Sequence, residues 1–408
     1  MEIYMKTTIK LAVASALIAA ATSANAGIIV PAGDWTLDIN GNVNAFYINN
    51  SSSDNNNIDG GLANKESGNA DNNSSSSSIN TGLLPSWLGV TGKTRQNDLD
   101  VSFTISFQPG ASGKTSLSGG GGSEFRQAAI TFGDKSWGTI KIGKDLGVFG
   151  SDAILNDMTL LGVGSQGVVG TAGGTTTTLG RIGTGFLYAD FNGQINYTSP
   201  NFNGFQFTAG VDQPLNTLNL GNSAASTGAQ SSPAFVGKAS YSFAGDVAGK
   251  VWAEAKTQNV EYSGNLGKER ATAFGIGANV NVAGFGLTGY YYDAEGVGTT
   301  AFLMDGVANV GGQAKQRDSD GGYVQATYTI PGVGTKLGVS WGISKLDEAS
   351  GEVNNTLVKE NEMTTVGAYH PLTKHLNLVA EYSRVKSENQ AGQDNESDIV
   401  SAGAILFF

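Results

Sequence analysis

In segment after segment of this chain, apolar side chains fall on every second residue, and the connections between segments alternate strictly between short and long. Alternation of this kind puts one set of side chains on each face of a β-strand. Residues 99–107 are the cleanest case. Leu99, Val101, Phe103, Ile105 and Phe107 share one face, and Asp100, Ser102, Thr104 and Ser106 share the other. In the same way Thr272, Phe274, Ile276, Ala278 and Val280 oppose Ala273, Gly275, Gly277 and Asn279. Leu376, Leu378, Ala380 and Tyr382 oppose Asn377, Val379, Glu381 and Ser383. The second face is mostly small or polar, which suits a wet interior and not a packed sandwich core.

The pattern predicts about sixteen strands, over 35–49, 84–95, 98–108, 124–132, 138–145, 194–199, 205–211, 234–243, 248–262, 270–280, 284–293, 320–330, 335–345, 360–370, 375–386 and 398–408. Short connections occupy 96–97, 133–137, 200–204, 244–247, 281–283, 331–334 and 371–374. The mostly longer ones occupy 50–83, 109–123, 146–193, 212–233, 263–269, 294–319, 346–359 and 387–397. A soluble sandwich has no reason to sort its connections this way. A membrane-spanning barrel does, because its turns lie on one side and its loops on the other. The even count leaves both chain ends on the short-turn side. The expected fold class is therefore all-β, a transmembrane antiparallel β-barrel. Trp35, Phe132, Trp137, Phe205, Phe243, Phe285 and Phe408 fall near the short-turn ends, and Tyr262, Tyr290, Tyr291 and Tyr292 near the long-loop ends. That spacing suggests two interfacial girdles of aromatic side chains.

The leader fits the same destination. Lys6 and Lys10 precede or open an apolar stretch over 11–21, and Ala24-Asn25-Ala26 offers a small-residue cleavage site before Gly27. Residues 1–26 read as an export signal and 27–408 as the barrel domain. After the leader no apolar stretch is long enough for a helical span. The chain has no cysteine, so an exported fold must hold together without disulfides. A net charge of −11 argues against a nucleic-acid partner.

Catalytic and cofactor chemistry find little support. Gly162-Val163-Gly164-Ser165-Gln166-Gly167 matches GxGxxG, but the glycine- and threonine-rich stretch that follows cannot make the helix a dinucleotide needs, so a flexible loop is expected. The two histidines, His370 and His375, flank a short turn and read as structural. With two histidines and no cysteine, no metal cluster is expected. The Asp- and Asn-rich runs at 54–59 and 71–73 lack calcium-loop spacing and read as disordered spacer. The reading is of a protein that is not an enzyme and carries no cofactor.

Two segments carry a family resemblance. Residues 132–144, Phe-Gly-Asp-Lys-Ser-Trp-Gly-Thr-Ile-Lys-Ile-Gly-Lys, resemble a turn-and-strand segment of the Gram-negative general porins. Residues 197–205, Tyr-Thr-Ser-Pro-Asn-Phe-Asn-Gly-Phe, resemble that family's Y-x-SPNF-x-GF turn. The terminal Phe408 is similar to the end residue read by the outer-membrane assembly machinery. The resemblance implies an outer-membrane location, a sixteen-stranded barrel, a homotrimer, and a third loop (about 146–193) folded into the lumen. It also implies a pore for ions and small hydrophilic solutes, surrounded by outer-membrane lipid. Lys141 then projects into the lumen, and Asp152 and Asp157 supply constriction carboxylates. One departure stands out: at 86–92 this chain has Ser-Trp-Leu-Gly-Val-Thr-Gly where the family carries two basic residues, and Lys93 and Arg95 follow on the same face.

A pore needs no catalysis, only a size limit and a field across the constriction. Candidate wall charges are Lys93, Arg95, Arg126 and Lys141, facing Asp152 and Asp157, with Arg181 available to pair with a loop carboxylate. The acidic balance favours a weak cation preference. The alternative is a substrate-selective channel on a barrel of sixteen to eighteen strands. A line of inward aromatics would mark it, and Trp87 and Trp252 face inward by the register read here.

Overall fold

The computed structural model describes residues 27–65, 74–111, 123–166, 177–217 and 225–408. The leader at 1–26, the run at 71–73 and Gly167 lie outside the described residues. In chain order the strands are β1 (Ile28–Ala32), β2 (Trp35–Ser53), β3 (Ser75–Asn80), β4 (Trp87–Gln96), β5 (Leu99–Pro109), β6 (Ser123–Asp134) and β7 (Gly138–Leu146). Next come β8 (Phe191–Thr198), β9 (Phe205–Asp212), β10 (Ala234–Phe243), β11 (Val247–Tyr262), β12 (Gly267–Val282) and β13 (Phe285–Glu295). A small hairpin, β14 (Val307–Val310) and β15 (Gln313–Gln316), stands apart. β16 (Asp318–Thr329), β17 (Lys336–Leu346), β18 (Val358–Pro371), β19 (Leu376–Asn389) and β20 (Asp394–Phe407) complete the sheet.

Each wall strand pairs antiparallel with the next, and β20 returns to pair with β2 from Asn42↔Phe407 to Ser53↔Glu396. The barrel is closed by sixteen strands. β1 and β3 are extra pieces beside β2. β1 carries on the line of β20 below Phe408, and β3 carries on the line of β4. Neither β1 nor β3, which lies within the connection expected over 50–83, was anticipated from sequence. The strand expected from residue 84 starts instead at Trp87, because 81–86 leaves the wall for the lumen, where the Leu83 and Leu84 amides donate to Gly162 and Leu160 (2.9 and 3.2 Å).

Burial is inverted relative to a soluble protein. Ile105, Ile130, Val251, Ile276, Val339 and Val400 are exposed on the outside, while Ser106, Gln108, Asn196, Ser340 and Ser383 are buried inside. An outer band of this kind belongs in hydrocarbon, where only a closed ladder satisfies every backbone group. Tight turns fit the short side. Asn97 and Asp98, with φ of 49° and 61°, form a two-residue turn whose positive φ values match the strand twist. At the seam, Gly41 exchanges backbone hydrogen bonds with Phe408 (2.8 and 3.0 Å). A Cβ at Gly41 would lie 2.1 Å from the Trp87 carbonyl and 2.8 Å from the Phe408 ring.

The predicted outer tyrosine girdle is corrected. Only Tyr291 of that set faces outward; Tyr262, Tyr290 and Tyr292 are buried inside under the loops. The register explains this, since inward and outward positions alternate and three consecutive tyrosines cannot share a face.

The two faces should respond differently to charge. Val339→Arg, facing lipid, should cost ~2–4 kcal/mol of folding free energy in bilayers. Thr104→Arg, facing the lumen beside Thr91, should cost much less, as read by denaturant titration of the refolded barrel.

Candidate functional site: the lumen and its inward loop

The third loop turns into the barrel directly after β7 and is built in two short turns of helix. Helix α1 (Ser151–Asn156) begins after Gly150, whose φ of 77° suits glycine and leaves no capping side chain. The Gly150 amide instead donates to Glu254 on β11 (3.0 Å). A 3-10 turn (Met158–Leu161) follows, capped by Asp157, which accepts from the Thr159 amide (3.0 Å).

This loop carries the largest apolar cluster of the described residues. Phe149, Ile154, Met158, Val163, Ile182 and Phe186 are buried against inward Phe46, Trp252, Tyr290, Tyr323, Met363 and Tyr369. One inner row explains the fit: Trp252, Gly277, Tyr290, Tyr323 and Gly342 are directly paired across β11, β12, β13, β16 and β17. The large rings lie beside glycines. A Cβ at Gly277 would touch the Trp252 ring at 2.2 Å, and one at Gly342 would lie 2.5 Å from the Thr184 carbonyl of the loop. Trp252 and Tyr290 stack at 6.3 Å, Tyr290 and Tyr323 lie at 6.2 Å, and Tyr323 meets Phe186 at 5.8 Å. The Tyr323 hydroxyl donates to the Ala153 carbonyl (2.8 Å). The row is thus a platform under the loop. Trp252 is only 2% exposed, so it does not line the open passage.

Two wall carboxylates hold the loop backbone. Besides the Gly150 amide, Glu254 accepts from the Tyr290 hydroxyl (2.9 Å). Glu381 on β19 accepts from the Val163 and Gly164 amides (2.7 and 2.9 Å) and from the Tyr369 hydroxyl (2.6 Å). The GxGxxG segment, expected as a flexible loop, is therefore pinned in its described part. Its glycines serve close approach: a Cβ at Gly162 would collide with the Glu381 carboxylate. The 54–59 run, expected as spacer, is also docked. Asp59 bonds to the Thr356 carbonyl, and the Leu62 and Ala63 amides just beyond donate to the inward Ser387 hydroxyl (both 2.9 Å).

The acidic candidates are buried and compensated. Asp152 pairs with Lys238 on β10 (2.7 Å) and Lys250 on β11 (2.5 Å). Burial raises the cost of its charge, but the two lysines outweigh that and hold its carboxyl below the ordinary aspartate range. Asp157 lies 3.9 Å from the Arg181 Nε. Burial pushes Asp157 up, and Arg181 and Thr159 offset that only in part. Arg181 is fully buried, donates to the Met363 carbonyl (3.0 Å) and lies over the Tyr323 ring.

The basic candidates lie on the opposite arc. Lys141 is on the face of β7 opposite Ile140 and Ile142, and it pairs with Asp145. Arg126 reaches the inner side through an extra residue in β6 opposite Ser106 and Gln108, a β-bulge that re-aims the side chain. There it pairs with Glu124 (2.6 Å) and lies over the Phe191 ring. Arg95 sits at the short-turn mouth between Asp100 (2.7 Å) and Asp134 (3.0 Å). Lys93 is exposed just above it, in line with Ser102, Thr131 and Lys141. Trp87 is half-buried, its indole N–H donating to Asn40 (3.3 Å). Between these charges run hydroxyl pairs: Thr91 with Thr104 (3.1 Å), Ser102 with Thr131, and Thr198 with Thr208 (2.9 Å).

The interior is thus an inward loop packed on an aromatic platform and facing a polar arc. The whole chain can now be compared with known proteins. The family model for the Gram-negative porin matches residues 12–390. This chain belongs to the Gram-negative porin family. No curated protein sequence matches it closely enough to count as a relative. Solved structures share the fold at low identity. The outer membrane channel DcaP of Acinetobacter baumannii is similar with a TM-score of 0.69 and 16% identity, over 94% of this chain and 100% of that one. An anion-selective porin from Comamonas acidovorans is similar at 0.59 and 16% identity, over 92% and 100%. OmpT of Vibrio cholerae, in its trimer form, is similar at 0.52 and 14% identity, over 92% and 99%. This porin is an outer-membrane β-barrel channel protein.

Sequence reasoning missed Lys238, Lys250, Glu254 and Glu381. Their inward parity was legible, since Lys250, Trp252, Glu254 and Lys256 alternate along β11. Their partners in the third loop, 86 to 218 residues away, were not.

Removing the Glu381 peg should free the loop. Glu381→Ala leaves two buried amides unpaired, each costing ~1–3 kcal/mol, so hydrogen exchange at 160–166 should rise while the wall strands stay protected. The Asp152 tie should show up in the pH dependence of the loop. Because its folded pKa is depressed, its contribution is present at neutral pH and lost only as pH falls through that lowered value. Exchange protection at 150–156 should persist down to about pH 3.9, the ordinary aspartate value, and collapse below it.

Proposed function

We propose that this porin passes ions and small hydrophilic solutes by passive diffusion, with no catalytic step. The passage lies between the third loop and the polar arc of β4–β10. The observation that carries this reading is the burial of the inner aromatic row beneath the loop, which leaves hydroxyl pairs, the exposed Lys93 and the half-exposed Lys141 to line the water-filled side. Asp152 and Asp157 act at the constriction by fixing the loop that forms it. Because Asp152, Lys141, Arg126 and Lys256 each have an opposite charge within 3 Å, the interior field largely cancels. The selectivity that remains is a weak cation preference, favoured by the overall charge of −11. A homotrimer is supported by the trimeric form of the similar OmpT. Phe408, whose backbone closes on Gly41, serves as the signal read by the assembly machinery.

The substrate-selective alternative needs exposed inner aromatics. Of its two markers, Trp87 keeps partial access and Trp252 does not.

The test is reversal potential and single-channel conductance in planar bilayers under a salt gradient. Large ohmic steps closing in threes, with a small potential of cation sign, are expected. Asp152→Ala should uncover Lys238 and Lys250 and move the reversal potential towards anions. Small steps blocked by one solute would favour the selective channel, and a folded barrel that conducts nothing would overturn the pore.

A further inference from the structure

Among the described residues, the outer wall carries a shallow apolar concavity on the face away from the lumen. On β10–β13 the lipid-facing positions include two directly paired sets of small residues, Ala239 with Ala253 and Ala278 with Gly289. Tyr241, Ile276 and Tyr291 stand up around them. Together with the neighbouring face of β16 they line a shallow, open groove of about 590 Å³. Its lining is almost wholly apolar, and it is continuous with the outer apolar band.

From this geometry we infer that the groove holds one acyl chain of a phospholipid from the periplasmic leaflet. Position decides the occupant. In the apolar band of a membrane barrel the surrounding medium is lipid hydrocarbon. Tyr241 lies just before the short turn joining β10 to β11, and Phe205, which also lines the groove, begins β9 directly after another. The groove therefore sits in the short-turn half, facing the phospholipid leaflet. A chain seated there buries methylenes against these four small residues, taking apolar surface on both sides into contact. The adjoining turns offer Ala244, Gly245 and Asp246, and Ala283 and Gly284. None is basic, so the chain and not the headgroup is selected.

The test counts retained lipid. The full-length porin is refolded with palmitoyl-oleoyl phosphatidylethanolamine or phosphatidylglycerol, moved into mild detergent and weighed by native mass spectrometry. One lipid per chain is expected with either headgroup. Ala278→Phe should lose it, whereas Ala326→Phe, outward on β16 and outside the groove, should keep it. Heat-modifiable migration on gels checks that each variant is folded, and Ala278→Leu, with partial loss, serves if the phenylalanine variant does not fold. Equal retention in wild type and the folded Ala278 variant would overturn the proposal. So would unchanged lipid with loss of the trimer, which would make the groove a contact between copies. Retention of phosphatidylglycerol alone would overturn the headgroup-indifferent chain site.

Discussion

Every feature of this porin rests on one constraint: in hydrocarbon, each backbone N–H and C=O must find its partner within the chain. The β2–β20 seam meets that constraint by joining the ends of the wall, and β1 extends the pairing below Phe408. Gly41 is fixed by the same requirement, because the strands close on it at a distance that no Cβ tolerates. Closure leaves no edge to protect. It also dictates the inversion of burial, with apolar side chains outside and polar ones within.

A barrel of sixteen strands is too wide for its own side chains to fill. This chain fills one side of the interior with a loop and lines the other with polar side chains. The filled side is a true core, built on Trp252, Tyr290 and Tyr323, with Gly277 between the first two and Gly342 beyond the third. Hydrophobic burial draws the loop onto the platform, and the Glu254 and Glu381 carboxylates fix where it stops by accepting its free amides. On the polar side, threonine and serine pairs offer hydroxyls without net charge. The lumen charges named above mostly meet an opposite charge at contact distance.

Much of this was legible in the residues. Alternation over 99–107 and 376–382 gave the inner and outer faces, and the order of short and long connections gave the orientation. Where the sequence misled, the cause was tertiary contact. Residues 81–86 look extended but leave the wall to bond the third loop. The glycines at 162 and 164 suggest looseness, yet they serve close packing against Glu381 and Gly180. Tyr290 and Tyr292 look interfacial in a run of three tyrosines, yet strand parity turns them inward.

The sequence by itself determined the architecture: a barrel of about sixteen strands, its membrane-facing surface and the side on which the ends lie. It could do so because side-chain parity and connection length are local properties of the chain. Only the tertiary structure decided what the interior does. Whether Asp152 is a free constriction charge or the centre of a lysine pair, and whether Trp252 greets solute or supports a loop, depends on contacts between residues some forty to two hundred apart. No local pattern encodes those contacts, because they arise only when barrel closure brings opposite walls and the inward loop together.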